Sequence, residues 1–171
     1  MAFSNATCAA APVSPTNRHA QTLQKCIPLN TDIEVWILRQ DTLEKVDLDK
    51  WWISFDDPRQ NGVAIRTAGP SQHLEEYTAE QYSFDEPLTW MLLGTANFRS
   101  GNVIHDVLGE DSLLRILVAS QFRQRGHGGL NSPNLMFIEE LWKSLEEKKV
   151  IKKLTLPFDR VIEWATHLSS S

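Results

Sequence analysis

Residues 32–39 alternate without a break, with Ile33, Val35 and Ile37 on one side and Glu34, Trp36 and Leu38 on the other. A period of two is that of a β-strand, whose successive side chains point to opposite faces. Because the second side also carries Trp36 and Leu38, the spacing predicts one fully buried face and one partly covered face. Such a strand needs neighbours to take up its backbone hydrogen bonds, so the chain must build a sheet around it.

Two nearby segments qualify. In Trp51-Trp52-Ile53-Ser54-Phe55, Trp51, Ile53 and Phe55 share a face, and Val63-Ala64-Ile65-Arg66-Thr67 is a second short apolar run. Between them, Asp57-Pro58 and Asn61-Gly62 are turn signals, which predict a hairpin of 51–55 with 63–67. With 32–39 this makes an antiparallel meander of three strands.

After Gly69-Pro70 the period changes. Residues 71–82 read as a polar surface helix with thin apolar content. Pro87 suits a first helical turn, and Leu88, Met91, Leu92 and Thr95 follow at spacings of three and four. Ser100-Gly101-Asn102 reads as a break. Asp111 is a good N-cap for a helix over 112–125, ended by Gly126. Leu113, Leu114, Ile116, Leu117, Val118, Ala119 and Phe122 give that helix a very wide apolar face, which predicts a central place in the core. Ser132-Pro133 opens a further helix to about Lys149, with Leu135, Ile138, Leu141, Trp142 and Leu145 along its inner stripe. Phe158, Val161, Ile162, Ala165 and Leu168 describe a last one. Strands early and helices late make the class α+β. The expected architecture is a small antiparallel β-meander of about three strands packed against a C-terminal set of four to five helices.

At 171 residues the chain is long enough to bury a core without a disulfide or metal. No stretch approaches the roughly 18 apolar residues of a membrane span, so no membrane partner is expected. Residues 1–31 contain no Asp or Glu and divide the chain into an acid-free flexible leader (1–31) and one globular domain (32–171). A short helix is expected within the leader from about Thr16 to Cys26. Its apolar run is too short and proline-broken for a secretory signal, so the expected location is cytoplasmic, with an organelle transit peptide as the alternative. Cys8 and Cys26, even with His19 between them, fall short of a four-ligand zinc site. They read as thiols in a reducing compartment, and neither metal nor cofactor is expected.

The net charge of −5 disfavours general affinity for nucleic acid. Its placement is uneven: residues 75–111 carry −7, with Arg99 the one base, while residues 112–160 carry +4. The two segments either form oppositely charged faces or neutralise each other across the folded surface.

Four groups of residues invite a chemical reading. His105-Asp106, followed by Glu110 and Asp111, combines an imidazole with carboxylates, although sequence neighbours rarely face one another. Arg123, Arg125, His127 and Gly128 belong to a basic, glycine-rich stretch before a helix, a setting that suits an anion but lacks any phosphate-loop pattern. Trp51 and Trp52 must point to opposite faces, so Trp52, beside Arg66, is either a contact residue or core. Lys143, Lys148, Lys149, Lys152 and Lys153 read as a solvated helix end.

No motif specifies catalysis, so His105, Asp106 and His127 are weak catalytic candidates. The expectation is a non-catalytic protein–protein interaction protein: an adaptor, regulator or assembly factor. Trp52, Arg66, Arg123, Arg125, His127 and Gly128 are its expected contacts, and another protein or a second copy is its partner. The alternatives are a small enzyme or anionic-ligand binder using His105, His127 and the glycines at 126–129, and a nucleic-acid module using 123–153.

Overall fold

The alternating segment is the centre of the fold. In the computed structural model, which describes residues 25–40, 51–57, 62–68, 73–78, 88–124 and 133–169, it forms strand β1 (Asp32–Gln40). β1 pairs antiparallel with β2 (Trp51–Phe55) on one side and β5 (Leu88–Asn97) on the other. β2 continues into β3 (Val63–Ala68), with Ile53 opposite Ile65 as the turn signals imply. β4 (His73–Thr78) lies outside β3, and β6 (Ile151–Leu154) lies outside β5. Among the described residues the sheet therefore has six strands in the order β4-β3-β2-β1-β5-β6, every pair antiparallel.

This corrects the expected three-strand meander. Residues 73–78 and 88–97, read as helical from their spacing, are strands. In β5 the cause is a bulge: Val35 is opposite Gly94 and Trp36 opposite Leu92, so Leu93 is an extra residue. A strand buried between two neighbours and interrupted by a bulge loses its alternation, and Leu88, Met91, Leu92 and Thr95 then imitate a helical period. β4 carries little apolar signal of its own, and its pairing with β3 decides its state.

Four helices follow among the described residues: α1 (Gly101–Leu108), α2 (Glu110–Gln124), α3 (Pro133–Glu147) and α4 (Phe158–Ser169). The expected break at Ser100-Gly101-Asn102 is in fact the start of α1. The Ser100 hydroxyl accepts from the Val103 N–H at 3.3 Å, an N-cap. Helix α3 lies against β2 and β3, and its Leu135, Phe137, Ile138, Leu141, Trp142 and Leu145 are all buried. Helix α2 packs chiefly on α1 and α3. Contrary to the expectation from its wide apolar face, it is an outer helix: Leu113 and Leu117 reach the core, but Leu114 and Val118 are 41% and 49% exposed.

One face of the sheet meets these helices. Ile33, Val35, Ile37, Trp51, Ile53, Phe55, Val63 and Ile65 join one large apolar cluster with them. Phe55 and Phe98 meet edge to face at 6.1 Å within it. Before β1, Ile27 belongs to the same cluster, and the Asn30 N–H donates to the Phe98 carbonyl at 2.8 Å. Of the expected N-terminal helix, Lys25 and Cys26 are described and are helical; the rest lies outside the described residues. The opposite face carries a second, smaller cluster of Leu38, Trp52 and Ala64 with Trp36 against it. Trp36 there meets Trp90 edge to face at 6.2 Å. No helix among the described residues is long and apolar enough to cross a membrane.

The end of α3 replaces the expected helix continuation to Lys149. Lys149 adopts φ 56°, the Val150 N–H donates to the Leu145 carbonyl at 3.0 Å, and the Lys149 N–H donates to that of Glu146 at 2.9 Å. This is a Schellman turn, with buried Val150 and Leu145 as its apolar contact. Lys152 and Lys153 thus lie in β6 rather than at a helix end. As an edge strand of four residues with a bulge and two exposed lysines, β6 resists pairing with other chains.

β6 approaches β5 most closely at Gly94, where a Cβ would strike the Lys153 carbonyl oxygen. Gly94→Ala is therefore expected to cost about 1–3 kcal/mol in urea unfolding, as the edge strand is forced outward. Wild-type stability in that variant would contradict the close packing of β5 on β6.

Candidate functional site

The ionisable residues of α1, α2 and α3 meet where α1 turns into α2. Gly109 makes that turn: its N–H donates to the His105 carbonyl and its own carbonyl accepts from the Leu113 N–H, both at 2.9 Å. A side chain at 109 would collide with the His105 carbonyl. The tight junction sets His105 and Asp106, in the last turns of α1, beside Asp111 and Ser112 of α2. Lys148, just past α3, completes the rim. Together with Arg115 these residues line an open cleft of about 270 Å³. It continues into a groove of about 360 Å³ between α2 and α3, past Glu140, Lys143 and Glu147.

The chemistry of the cleft is mixed. His105 Nδ1 and Asp106 Oδ1 are 3.9 Å apart, and the two side chains are 65% and 64% exposed. That separation exceeds a hydrogen bond, and neighbouring helical residues project about 100° apart, so the carboxylate does not orient the ring. His105 and Asp106 both belong to helix α1. Lys143 is held by Glu139 at 3.0 Å and Glu140 at 3.4 Å, on its own helix. Arg160 pairs with Glu163 at 2.7 Å in the same manner. The Arg115 Nε–H donates to the Asp111 carbonyl at 3.2 Å. These bases are thus satisfied locally, and the acidic and basic segments approach one another across the cleft, where Asp106 and Asp111 share its lining with Lys148. Because both signs line it, a simple anion or cation meets like charge as well as opposite charge.

The other candidates do not gather here. Trp52 is 5% exposed and lies in the second apolar cluster, with Trp51 in the main one. The rings do point to opposite faces, but both are core, so Trp52 is not an exposed contact. Arg66 is opposite Glu75 in the pairing of β3 with β4. Arg123 lies in the last turn of α2, while Arg125, His127 and Gly128 lie outside the described residues. Helix α2 carries the chain about 21 Å from Glu110 to Gln124. Gln124, the last residue of α2, is therefore at the end of the helix remote from His105. No group of three His, Cys, Asp or Glu suited to a metal occurs among the described residues.

Two features escaped the sequence reading. Arg39 is only 6% exposed, with its guanidinium carbon 6.0 Å from the centre of the Trp51 ring. Its signal was present, since it continues the phase of Ile33, Val35 and Ile37. Asn134, 2% exposed, donates from Nδ2 to the Trp51 carbonyl, tying α3 to β2.

Because His105 and Asp106 are exposed and loosely paired, His105→Ala is expected to change unfolding free energy by less than about 0.5 kcal/mol. A loss above about 1 kcal/mol in denaturant titration would mean that the pair supports the fold. Compared with protein-family models, curated proteins and solved structures, the chain matches none of them.

Proposed function

We propose that the protein is a non-catalytic interaction protein, an adaptor, regulator or assembly factor, and that it meets its partner through the outer face of α2. The observation that carries this reading is the exposure of Leu114 and Val118, 41% and 49%, on the outer side of a helix whose inner side reaches the core through Leu113 and Leu117. They are four residues apart and so lie one above the other on the same side of the helix. Covering both completely would contribute on the order of 2 kcal/mol of apolar transfer. The charged rim of Asp111 and Arg115 beside them suits orientation of a protein partner.

Ligand chemistry at His105 draws less support. Its cleft is open, its imidazole is unoriented, and its lining carries both signs of charge. A photo-crosslinking amino acid at position 118 tests the interaction reading, with exposed Glu163 on α4 as the control position. In a native extract, position 118 is expected to give a discrete protein adduct that Leu114→Asp suppresses and position 163 does not give. Absence of any adduct from position 118 would contradict the proposed face.

A further inference from the structure

We propose that the cleft where α1 turns into α2 binds a small zwitterion, a free α-amino acid with an apolar side chain. The site goes beyond the interaction reading and does not depend on it, since neither Leu114 nor Val118 lines the cleft. Ser112 is the starting point. It is only 8% exposed, yet it lines both the cleft and the groove that continues from it. Its hydroxyl has no hydrogen-bond partner among the described residues. A nearly buried hydroxyl in that state costs free energy, which a ligand seated in the cleft recovers.

The lining selects the ligand. Ser112 lies in the first turn of α2, where N–H groups lack intrahelical acceptors and carry partial positive charge. Arg115, further along α2, and Lys148, on the opposite rim, add two full positive charges. This side of the cleft suits a carboxylate. Asp106 and Asp111 line the same cleft, so an anion alone is repelled as well as attracted. No lysine or arginine among the described residues forms an ion pair with either aspartate, which leaves both to an ammonium group. Two carboxylates thus face two cations, and the ligand that suits both sets carries one charge of each sign. An α-amino acid holds the two charges on one carbon, within reach of both sets in a cleft of about 270 Å³. Its side chain has a place as well. The groove runs from Ser112 past Ile116 and Ala119, one and two turns further along α2, and these offer apolar contact. Because the site is open and leucine brings only about nine non-hydrogen atoms, the Kd is on the order of millimolar.

Titration of the isotope-labelled full-length chain with L-leucine, followed by amide chemical shifts, is the first measurement. Saturable shifts at residues 111–116 and 148 are expected. Absence of a saturable shift up to the solubility of leucine overturns the proposal, as do shifts confined to residues outside the cleft. N-acetyl-L-leucine keeps only the carboxylate and L-leucinamide only the ammonium, so each is expected to bind at least about tenfold more weakly. Either one binding as tightly as leucine overturns recognition of both charges.

Two variants then test the donors. Ser112→Ala, nearly isosteric, is expected to weaken leucine about three- to tenfold. Lys148→Gln lies on the exposed rim, where the fold is not at stake, and is expected to weaken it about two- to fivefold. Unchanged affinity in either variant overturns the proposed site.

Discussion

Strand β1 is hydrogen-bonded on both sides, and the rest of the molecule is arranged around that fact. Its pairing with β2 and β5 leaves neither edge to solvent, so its backbone groups are satisfied within the sheet. Its alternation then assigns every neighbouring residue to one of two faces. Ile33, Val35 and Ile37 point into the helix-covered cluster, while Trp36 and Leu38 belong to the smaller cluster opposite. A one-residue slip of β1 would exchange these two sets, which is why the register is strongly specified. The bulge at Leu93 adapts β5 to this frame, and Gly94 lets β6 close over it.

The helices are placed by the same face. α3 lies on β2 and β3 and fills the space with its full apolar stripe, tied by Asn134 to the backbone of Trp51. α2 then packs outside, against α1 and α3. Once α3 occupies the sheet, only one side of α2 can be buried. The exposed Leu114 and Val118 are therefore a consequence of layer order, and the apolar surface available for a partner follows from the packing of the core.

What was legible in the sequence divides along physical lines. β1 and the β2–β3 hairpin were readable because regular alternation and turn residues are local signals. The stripe of α3, with Leu135, Ile138, Leu141, Trp142 and Leu145, was readable for the same reason. β4 and β5 were not: one is held by pairing with β3, the other has a bulge that makes Leu88, Met91 and Leu92 mimic a helix. Start of α1 at Ser100 was hidden by Gly101 and Asn102, which resemble a break. For the candidate site, the sequence identified His105 and Asp106 but not that Lys148 and Arg115 would join them, since that depends on α3 running back along α2. It also ranked α2 as the central helix. Composition shows how apolar a helix is, not which of its sides the fold will cover.

Native-state hydrogen exchange tests the central place of β1 most directly. The amides of residues 35–38 are expected to exchange only through global unfolding, at a protection matching the stability measured by denaturant, while those of Ile151–Leu154 in edge strand β6 exchange by local opening and far sooner. Exchange of residues 35–38 as fast as that of β6 would contradict an account in which the sheet, the core and the exposed side of α2 are all set by the double pairing of β1.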